Sequence, residues 1–241
     1  MKLGRKAVKQ DSRTLKLGKY LSPALVPPAS VDWTKGVTSW GMMLNDTLGD
    51  CTIAGAGHAI QVWSLNDTKE ITLPDSDILE QYEDWCGYNP ADPSTDQGGI
   101  ELDVLNRWKK YSMCGKHLKA FATVNVSNFT EVKNAIALLG GVYIGLNVSN
   151  YVMNNETAPG STWDVVPNDG GIDGGHCVFV CGYDATTLTF ISWGSVYKMT
   201  YAFWTKYVDE AYALLGLSWV GEGKSPTGLN LTQLEADLAQ L

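Results

Sequence analysis

The sequence predicts an α+β protein in which a helical N-terminal lobe precedes a β-rich C-terminal lobe. Between residues 51 and 108, apolar side chains recur every three to four positions, which is typical of amphipathic helices. After His117 the apolar segments become short and rich in β-branched and aromatic residues, which is typical of strands. The chain has 241 residues, enough for one large domain or two small lobes with a substantial core.

The helices of the first lobe are predicted from capping residues and apolar spacing. Asp50 is placed to cap a helix that runs from Cys51 to about Leu65. A second helix is expected to begin at Asp75 or Ser76. The third helix carries its apolar residues at helical spacing: Leu102, Leu105 and Trp108.

The second lobe is predicted to contain several short strands and few helices. Asn128 is placed to cap a short helix. Residues 200–215 again show helical spacing, so a helix is expected there too. The expected strands are His117–Val126, Val142–Leu146, Cys177–Gly182 and Leu188–Trp193.

Both ends of the chain are predicted to lie outside the two lobes. Residues 1–30 form a proline-terminated extended arm, whose first 20 residues carry a net charge of +6 although the whole chain carries −8. Residues 221–241 comprise a linker, Gly221–Gly228, and a short amphipathic helix with a Thr232–Glu235 capping box. The arm can lie along the chain's own body, an acidic partner or nucleic acid. Contact with the chain's own body is favoured. Nucleic acid is not favoured as a partner, because the basic residues of the arm have no aromatic residues interleaved among them.

Composition places the protein outside the membrane and secreted classes. The hydrophobic fraction is 44%, no apolar run is long enough to cross a bilayer, and no apolar core follows the basic N-terminus as in a secretory signal. We therefore expect a cytoplasmic location, or one within an assembled particle. The five cysteines are expected to be free thiols, with a Cys86–Cys114 bridge left open. The sequence lacks CxxC and HxxxH spacings, so neither a metal nor another cofactor is expected.

Cys51 and His176 are the candidate catalytic pair. A cysteine acts as a nucleophile in its thiolate form, which the N-terminus of a helix and a nearby imidazolium both stabilise. Cys51 opens the first helix, and His176 begins an apolar strand 125 positions later. Histidine can also protonate the leaving group. His58 is the rival base, but seven residues along one helix separate it from Cys51 by about 10.5 Å.

The sequence around this pair resembles the papain-like cysteine peptidases over about residues 29–220. The matching segments, in chain order, are SVDWTKGVTSW, LNDTLGDCTIAGAGHA, FTEVKNAIALLGGVYIGLNV, GGHCVFVCGYD and ISWGS. The resemblance implies a two-lobed papain-like body at 31–220, with a helical lobe at about 45–112 and a β lobe at about 117–220. It also implies that Cys51 is the nucleophile, His176 the base and Asn45 the oxyanion donor, acting on a peptide or protein.

Four positions depart from the family pattern. Asn45 stands where the family has glutamine, which keeps the amide but shortens its reach. Thr52 replaces the usual aromatic residue, and the charge of Asp50 is expected to raise the pKa of Cys51. Ile191 stands where the family's asparagine orients the histidine, and isoleucine makes no hydrogen bond. Its neighbour Ser192 is expected to point to the opposite face of the strand and so not to replace it.

Three hypotheses about function therefore remain open. The first is a cysteine peptidase or amide hydrolase that uses a Cys51–His176 dyad. The second is a catalytically inactive papain-fold module that binds within a larger assembly, such as a viral one, with residues 1–30 and 229–241 contacting partners. The third is a transglutaminase-type or peptidoglycan acyl transferase with the same dyad. The intact pair favours the first and third hypotheses, and Ile191 favours the second.

Overall fold

The computed structural model describes residues 1–37, 39–67, 69–216, 219 and 227–240. The helices are α1 (Cys51–Asp67), α2 (Asp75–Cys86), α3 (Glu101–Lys110), α4 (Phe129–Leu139), α5 (Asn150–Asn155), α6 (Tyr201–Tyr207) and α7 (Leu231–Leu238). The strands are β1 (Val31–Asp32), β2 (Leu118–Thr123), β3 (Val142–Ser149), β4 (Thr162–Trp163), β5 (Ile172–Tyr183), β6 (Thr187–Ser192), β7 (Ser195–Thr200) and β8 (Val208–Gly216). Helices thus dominate the first half and strands the second, which confirms the predicted α+β class.

One sheet organises the second lobe, with strand order β2-β8-β3-β5-β6-β7-β4 and β1 paired to β5. All pairs are antiparallel except β4 with β7. Apolar side chains on one face of the sheet pack with α1, α2 and α3, and those on the other face pack with α4 and α6. The sheet therefore separates two hydrophobic cores, one for each lobe.

Helix α1 is buried almost all round, because every residue from Cys51 to Ser64 is shielded from solvent. A Cβ atom at Gly55 would lie 3.2 Å from the Cys177 sulfur and 3.2 Å from the Tyr143 ring. The missing side chain therefore lets α1 approach β5 closely, and this contact sets the start of the helix beside the strand that carries His176.

The helix predicted over residues 200–215 is wrong in its second half. Helix α6 ends at Tyr207, and the chain continues directly as strand β8. This strand lies between β2 and β3, and all its residues are buried except Asp209. A strand that is buried on both faces lacks the alternation of polar and apolar residues by which strands are recognised in a sequence. Its continuous apolar run is therefore also compatible with helical spacing.

The C-terminal helix docks on the chain's own arm. Asp237 accepts hydrogen bonds from the Lys19 ammonium and the Tyr20 hydroxyl, both at 2.7 Å, and Leu234 is buried. The predicted Thr232–Glu235 capping box is wrong, since the side chain of Asn230 accepts the capping bond from the Gln233 N–H. Most of the predicted linker Gly221–Gly228 lies outside the described residues.

Two further features bear on the expected class of protein. Among the described helices, none is long and apolar enough to cross a membrane. All five cysteines are free thiols. Cys86 and Cys114, for which the sequence did not exclude a disulfide bond, are among them.

Candidate active site

Cys51 lies at the start of α1 and is completely buried. The backbone N–H groups of Cys177 and Gly4 act to lower the pKa of its thiol, so both lie close to the sulfur. Cys177 directly follows His176 on β5, so the sheet brings the predicted nucleophile beside the strand of the predicted base. Gly4 belongs to the N-terminal arm, so this arm reaches the sulfur as well.

His176 is held rigidly by its neighbours on the sheet. Its Nε2 lies 2.7 Å from the Ser192 hydroxyl, and its ring stacks on Trp193 with centroids 4.7 Å apart and planes 24° from parallel. The other ring nitrogen, Nδ1, is buried and makes no hydrogen bond to any described residue. Ser192 and Trp193 therefore fix the imidazole while leaving Nδ1 available.

The expectation that Ser192 points away from His176 is wrong, and the strand register explains why. Phe179 on β5 pairs with Ile191 on β6, so these two side chains share one face, where they join the core around α1. His176 is an odd number of residues from Phe179 and therefore lies on the other face, as does Ser192. Alternation along the strand is what places Ser192 toward the histidine and Ile191 away from it.

Asn45 is buried near the start of α1, but its amide is engaged elsewhere. Its Nδ2 donates to an Asp50 carboxyl oxygen at 3.0 Å and to the Leu48 carbonyl at 3.2 Å, and its backbone carbonyl accepts from the Lys2 N–H at 3.1 Å. Both amide hydrogens therefore have acceptors.

Burial keeps both members of the pair uncharged in this conformation. Burial, with a smaller contribution from the Asp50 charge, raises the pKa of Cys51 to about 12. Burial, with smaller contributions from His58 and the Arg5 guanidinium, lowers the pKa of His176 to about 3. A thiol and a neutral imidazole are thus the forms present near neutral pH, rather than a thiolate–imidazolium pair.

Residues 2–6, which we term the arm segment, cross the site between the two lobes. On the side of the sheet, the N–H groups of Gly4 and Arg5 donate to the Gly175 carbonyl at 3.1 and 3.0 Å. On the helical side, the Gly99 N–H donates to the Gly4 carbonyl at 2.9 Å, and the Lys6 N–H donates to the Gly99 carbonyl at 2.8 Å. The arm segment is therefore held by backbone hydrogen bonds from both sides, and Gly4 lies close to the Cys51 sulfur.

Glycines form the walls of the slot that receives the arm segment. A Cβ atom at Gly98 would lie 1.8 Å from the Gly4 carbonyl oxygen, and one at Gly175 would lie 2.4 Å from the Arg5 oxygen. Gly4 itself has no room for a side chain, since its Cβ would lie 1.8 Å from the Gly49 oxygen. This slot accommodates a polypeptide backbone at close range.

The side chain of Arg5 enters a buried acidic pocket beside the slot. Its guanidinium contacts both carboxylate oxygens of Asp209, at 2.7 and 2.6 Å, and one of Glu210 at 2.9 Å. The charge of the buried Glu101 also acts on Arg5. The sequence pointed to a basic arm but not to this pocket, because the three acidic residues come from α3 and β8, far apart along the chain.

The rival base His58 lies outside this arrangement. Its Nε2 contacts the Gly41 carbonyl at 2.9 Å, and burial lowers its pKa to about 4. Within the described part of the chain, no three His, Cys, Asp or Glu side chains are arranged to hold a metal ion.

Comparison with known proteins reveals similarity in structure but not in sequence. The chain matches no protein-family model and no curated protein sequence. Its structure resembles xylellain, a cysteine protease from Xylella fastidiosa, with a TM-score of 0.67 and 16% identity over 88% of this chain and 95% of that one.

Two further solved structures show the same similarity. Digestive procathepsin L 3 from the larval midgut of Tenebrio molitor matches with a TM-score of 0.60 and 13% identity, over 86% of this chain and 75% of that one. The cysteine protease CMS1MS2 from Carica candamarcensis, solved in complex with E-64, matches with a TM-score of 0.53 and 16% identity, over 78% of this chain and 98% of that one. At such identities the likeness concerns the fold alone. The chain therefore has the papain-like fold that its sequence segments predicted.

Proposed function

We propose that the protein is a cysteine peptidase or amide hydrolase that uses a Cys51–His176 dyad and is latent in this conformation. The observation that carries the proposal is the 2.7 Å contact between His176 Nε2 and the Ser192 hydroxyl. A relic site has no need to keep the imidazole oriented after losing the family's asparagine. The Ser192 contact, together with the stacked Trp193, supplies that orientation by a different residue.

The proposed chemistry begins with proton transfer from the thiol to the histidine. When Nε2–H donates to Ser192, the lone pair of His176 Nδ1 is free, and we expect it to accept the proton of Cys51 once departure of the arm segment lets the two side chains meet. The resulting thiolate attacks the substrate carbonyl and forms a tetrahedral oxyanion. His176 then gives the proton to the leaving amine, and water hydrolyses the thioester in a second round that restores both groups.

The oxyanion is expected to take its hydrogen bonds from two donors at the start of α1. The Cys51 backbone N–H is the first, since a helix N-terminus leaves such groups free. Asn45 is the second, after its Nδ2 leaves Asp50 or Leu48. The shorter asparagine side chain makes this second donor conditional on a local rearrangement.

The position of the arm segment is evidence for two parts of the proposal, the latent state and a peptide substrate. It covers a sulfur that is completely buried, and it is bound through backbone hydrogen bonds to Gly99 and Gly175. A slot that binds one extended backbone through N–H and C=O groups can bind another of different sequence. Substrate peptides would therefore take the place of residues 2–6 after the arm segment leaves.

The competing proposal is an inactive papain-fold module. It is favoured by the complete burial of Cys51 and His176, which excludes substrate from the observed conformation. In that case residues 1–30 and 229–241 would contribute to assembly. In the structure these two segments already contact each other, since the Asn230 N–H donates to the Tyr20 carbonyl at 2.8 Å.

The test is turnover of an unfolded protein after the arm segment has been displaced. Full-length protein carrying Gly4→Val is incubated with denatured casein, and new peptide termini are counted by mass spectrometry. We expect cleavage by this variant and none after a further Cys51→Ala change. Absence of cleavage by a folded Gly4→Val protein, in which Cys51 has become accessible, would leave the inactive module as the better account.

Ser192 provides the control for the role of the histidine. On the Gly4→Val background, Ser192→Ala is expected to lower kcat by about tenfold or more, because the imidazole loses its orienting bond. Ile191→Val, on the opposite face of the same strand, is expected to leave kcat unchanged. Equal effects of the two changes would contradict the role given to Ser192.

A further inference from the structure

We infer that Glu101, Asp209 and Glu210 form a subsite that selects a basic side chain, so that the substrates are extended peptides carrying arginine next to the reacting residue. This inference deepens the proposed function and rests on it. It starts from the pocket in which the arm segment places Arg5.

The geometry of the pocket matches a guanidinium group. Arg5 Nη2 contacts both oxygens of Asp209, while Nη1 contacts Glu210 at 2.9 Å. The arginine side chain is only 2% exposed, and that of Glu210 is 5% exposed. A planar fork with several donors can serve two carboxylates at once, whereas a lysine ammonium is a single point charge. The pocket is therefore better suited to arginine than to lysine.

The pocket holds more carboxyl groups than Arg5 bonds. Three carboxylates surround one guanidinium, and neither oxygen of the buried Glu101 has a hydrogen bond of normal geometry to any described residue. Burial raises the pKa of both Glu101 and Glu210, and the Arg5 charge opposes that rise. Departure of the arm segment would leave these groups without a cation, so a basic side chain of the substrate is the natural replacement.

Two neighbouring residues shape the pocket for a long side chain. A Cβ atom at Gly145 would lie 2.7 Å from Glu101 Oε1 and 2.8 Å from Arg5 Cδ, so glycine leaves the space that the arginine chain fills. The Tyr212 hydroxyl donates to the second oxygen of Glu210 at 2.9 Å and thereby fixes the carboxylate. The pocket is thus prepared for its ligand.

The arm segment also indicates where the basic residue lies relative to the thiol. Arg5 directly follows Gly4, whose N–H lies close enough to the Cys51 sulfur to act on the pKa of the thiol. A substrate bound in the same slot would place its arginine one residue away from the residue above the sulfur. The cleaved bond is therefore expected within two residues of an arginine.

Peptide binding tests the subsite without requiring turnover. Full-length protein with Gly4→Val and Cys51→Ala is titrated with the fluorescent peptide Leu-Gly-Arg-Lys-Ala, and with the same peptide carrying leucine in place of arginine, by fluorescence anisotropy. We expect the arginine peptide to bind at least about tenfold more tightly. Glu210→Gln should remove that preference, and Glu80→Gln, an exposed carboxylate of α2, should not. Equal binding of the two peptides would overturn the inference.

Cleavage specificity separates this inference from the proposed function. If the catalytically intact Gly4→Val protein cleaves casein at sites without enrichment of arginine, the subsite is wrong and the peptidase stands. If the protein cleaves nothing but the arginine peptide binds selectively, the peptidase is wrong and the selectivity of the pocket stands.

A second measurement covers the case in which Gly4→Val does not fold. Full-length Arg5→Ala protein retains the arm backbone and empties the pocket, and ethylguanidinium chloride is added as the probe. Its melting temperature should rise more with ethylguanidinium than with ethylammonium chloride at equal concentration, and wild type should show no such difference. The same response to both salts in Arg5→Ala would contradict the inference.

Discussion

Gly4→Val is expected to raise the rate of Cys51 alkylation at pH 7 by at least about 10²-fold. The pKa of the Cys51 thiol is raised by burial to about 12, from an ordinary value of 9.0. Below both values each unit of pKa changes the thiolate fraction tenfold, and the thiolate is the reactive form. A valine side chain at position 4 would collide with the backbone at Gly49, so the arm segment has to leave and the sulfur becomes accessible.

The measurement is iodoacetamide labelling followed by peptide mass spectrometry, which distinguishes Cys51 from the partly exposed Cys86 and Cys114. Ala7→Val is the matched control, because it adds the same side chain at an exposed position of the arm. It should label as slowly as wild type. Equally slow labelling of Cys51 in the two variants would show that the arm segment is not what protects the thiol.

Arg5→Ala is expected to destabilise the protein by about 3–5 kcal/mol at pH 8, because it leaves buried carboxylates without their cation. The loss should be smaller at pH 5. In the folded chain the pKa of Glu101 and of Glu210 is raised by burial above the ordinary 4.5, and Arg5 limits that rise. Such groups bind more protons when folded, so stability falls as pH increases above 4.5. Removing Arg5 raises both pKa values further and steepens that fall.

Thermal and urea unfolding at pH 5 and pH 8 would measure both the size and the pH dependence of this effect. Arg13→Ala serves as the control, since Arg13 is 74% exposed and pairs only locally with Asp11. Its melting temperature should equal that of wild type at both pH values. A deficit for Arg5→Ala that is larger at pH 5 than at pH 8 would contradict the electrostatic account of the pocket.

The sequence predicted the scaffold well because periodicity and capping are local properties. The start of α1 at Cys51 is found where apolar spacing placed it, and Asn128 caps α4 as predicted. The predicted Asp50 cap of α1 is wrong, since one oxygen of the Asp50 side chain accepts from Asn45 Nδ2 and the other has no hydrogen bond to a described residue. The strand β8 was missed for a physical reason: the two hydrophobic cores bury both of its faces, and neither of its partner strands is adjacent to it in sequence. Its true state depends on pairing that a local pattern does not contain.

The candidate site was predictable only in part, because its remaining features depend on register and on long-range contacts. The segments around Cys51 and His176 indicated the pair, but the role of Ser192 follows from the pairing of Phe179 with Ile191 across β5 and β6. The position of the arm segment depends on hydrogen bonds to Gly99 and Gly175, far along the chain. No local signal in a basic N-terminus specifies that it crosses the site.

The pH dependence of Cys51 alkylation shows whether displacement of the arm segment converts an unreactive Cys51–His176 pair into a reactive one. It would be measured in Gly4→Val and in Gly4→Val with His176→Ala. We expect rapid labelling near pH 6 in the first protein, with a midpoint well below 9.0, and loss of that reactivity without the histidine. A midpoint at or above 9.0 that does not change on removal of His176 would contradict this expectation, and the papain-like body would then be an inactive module.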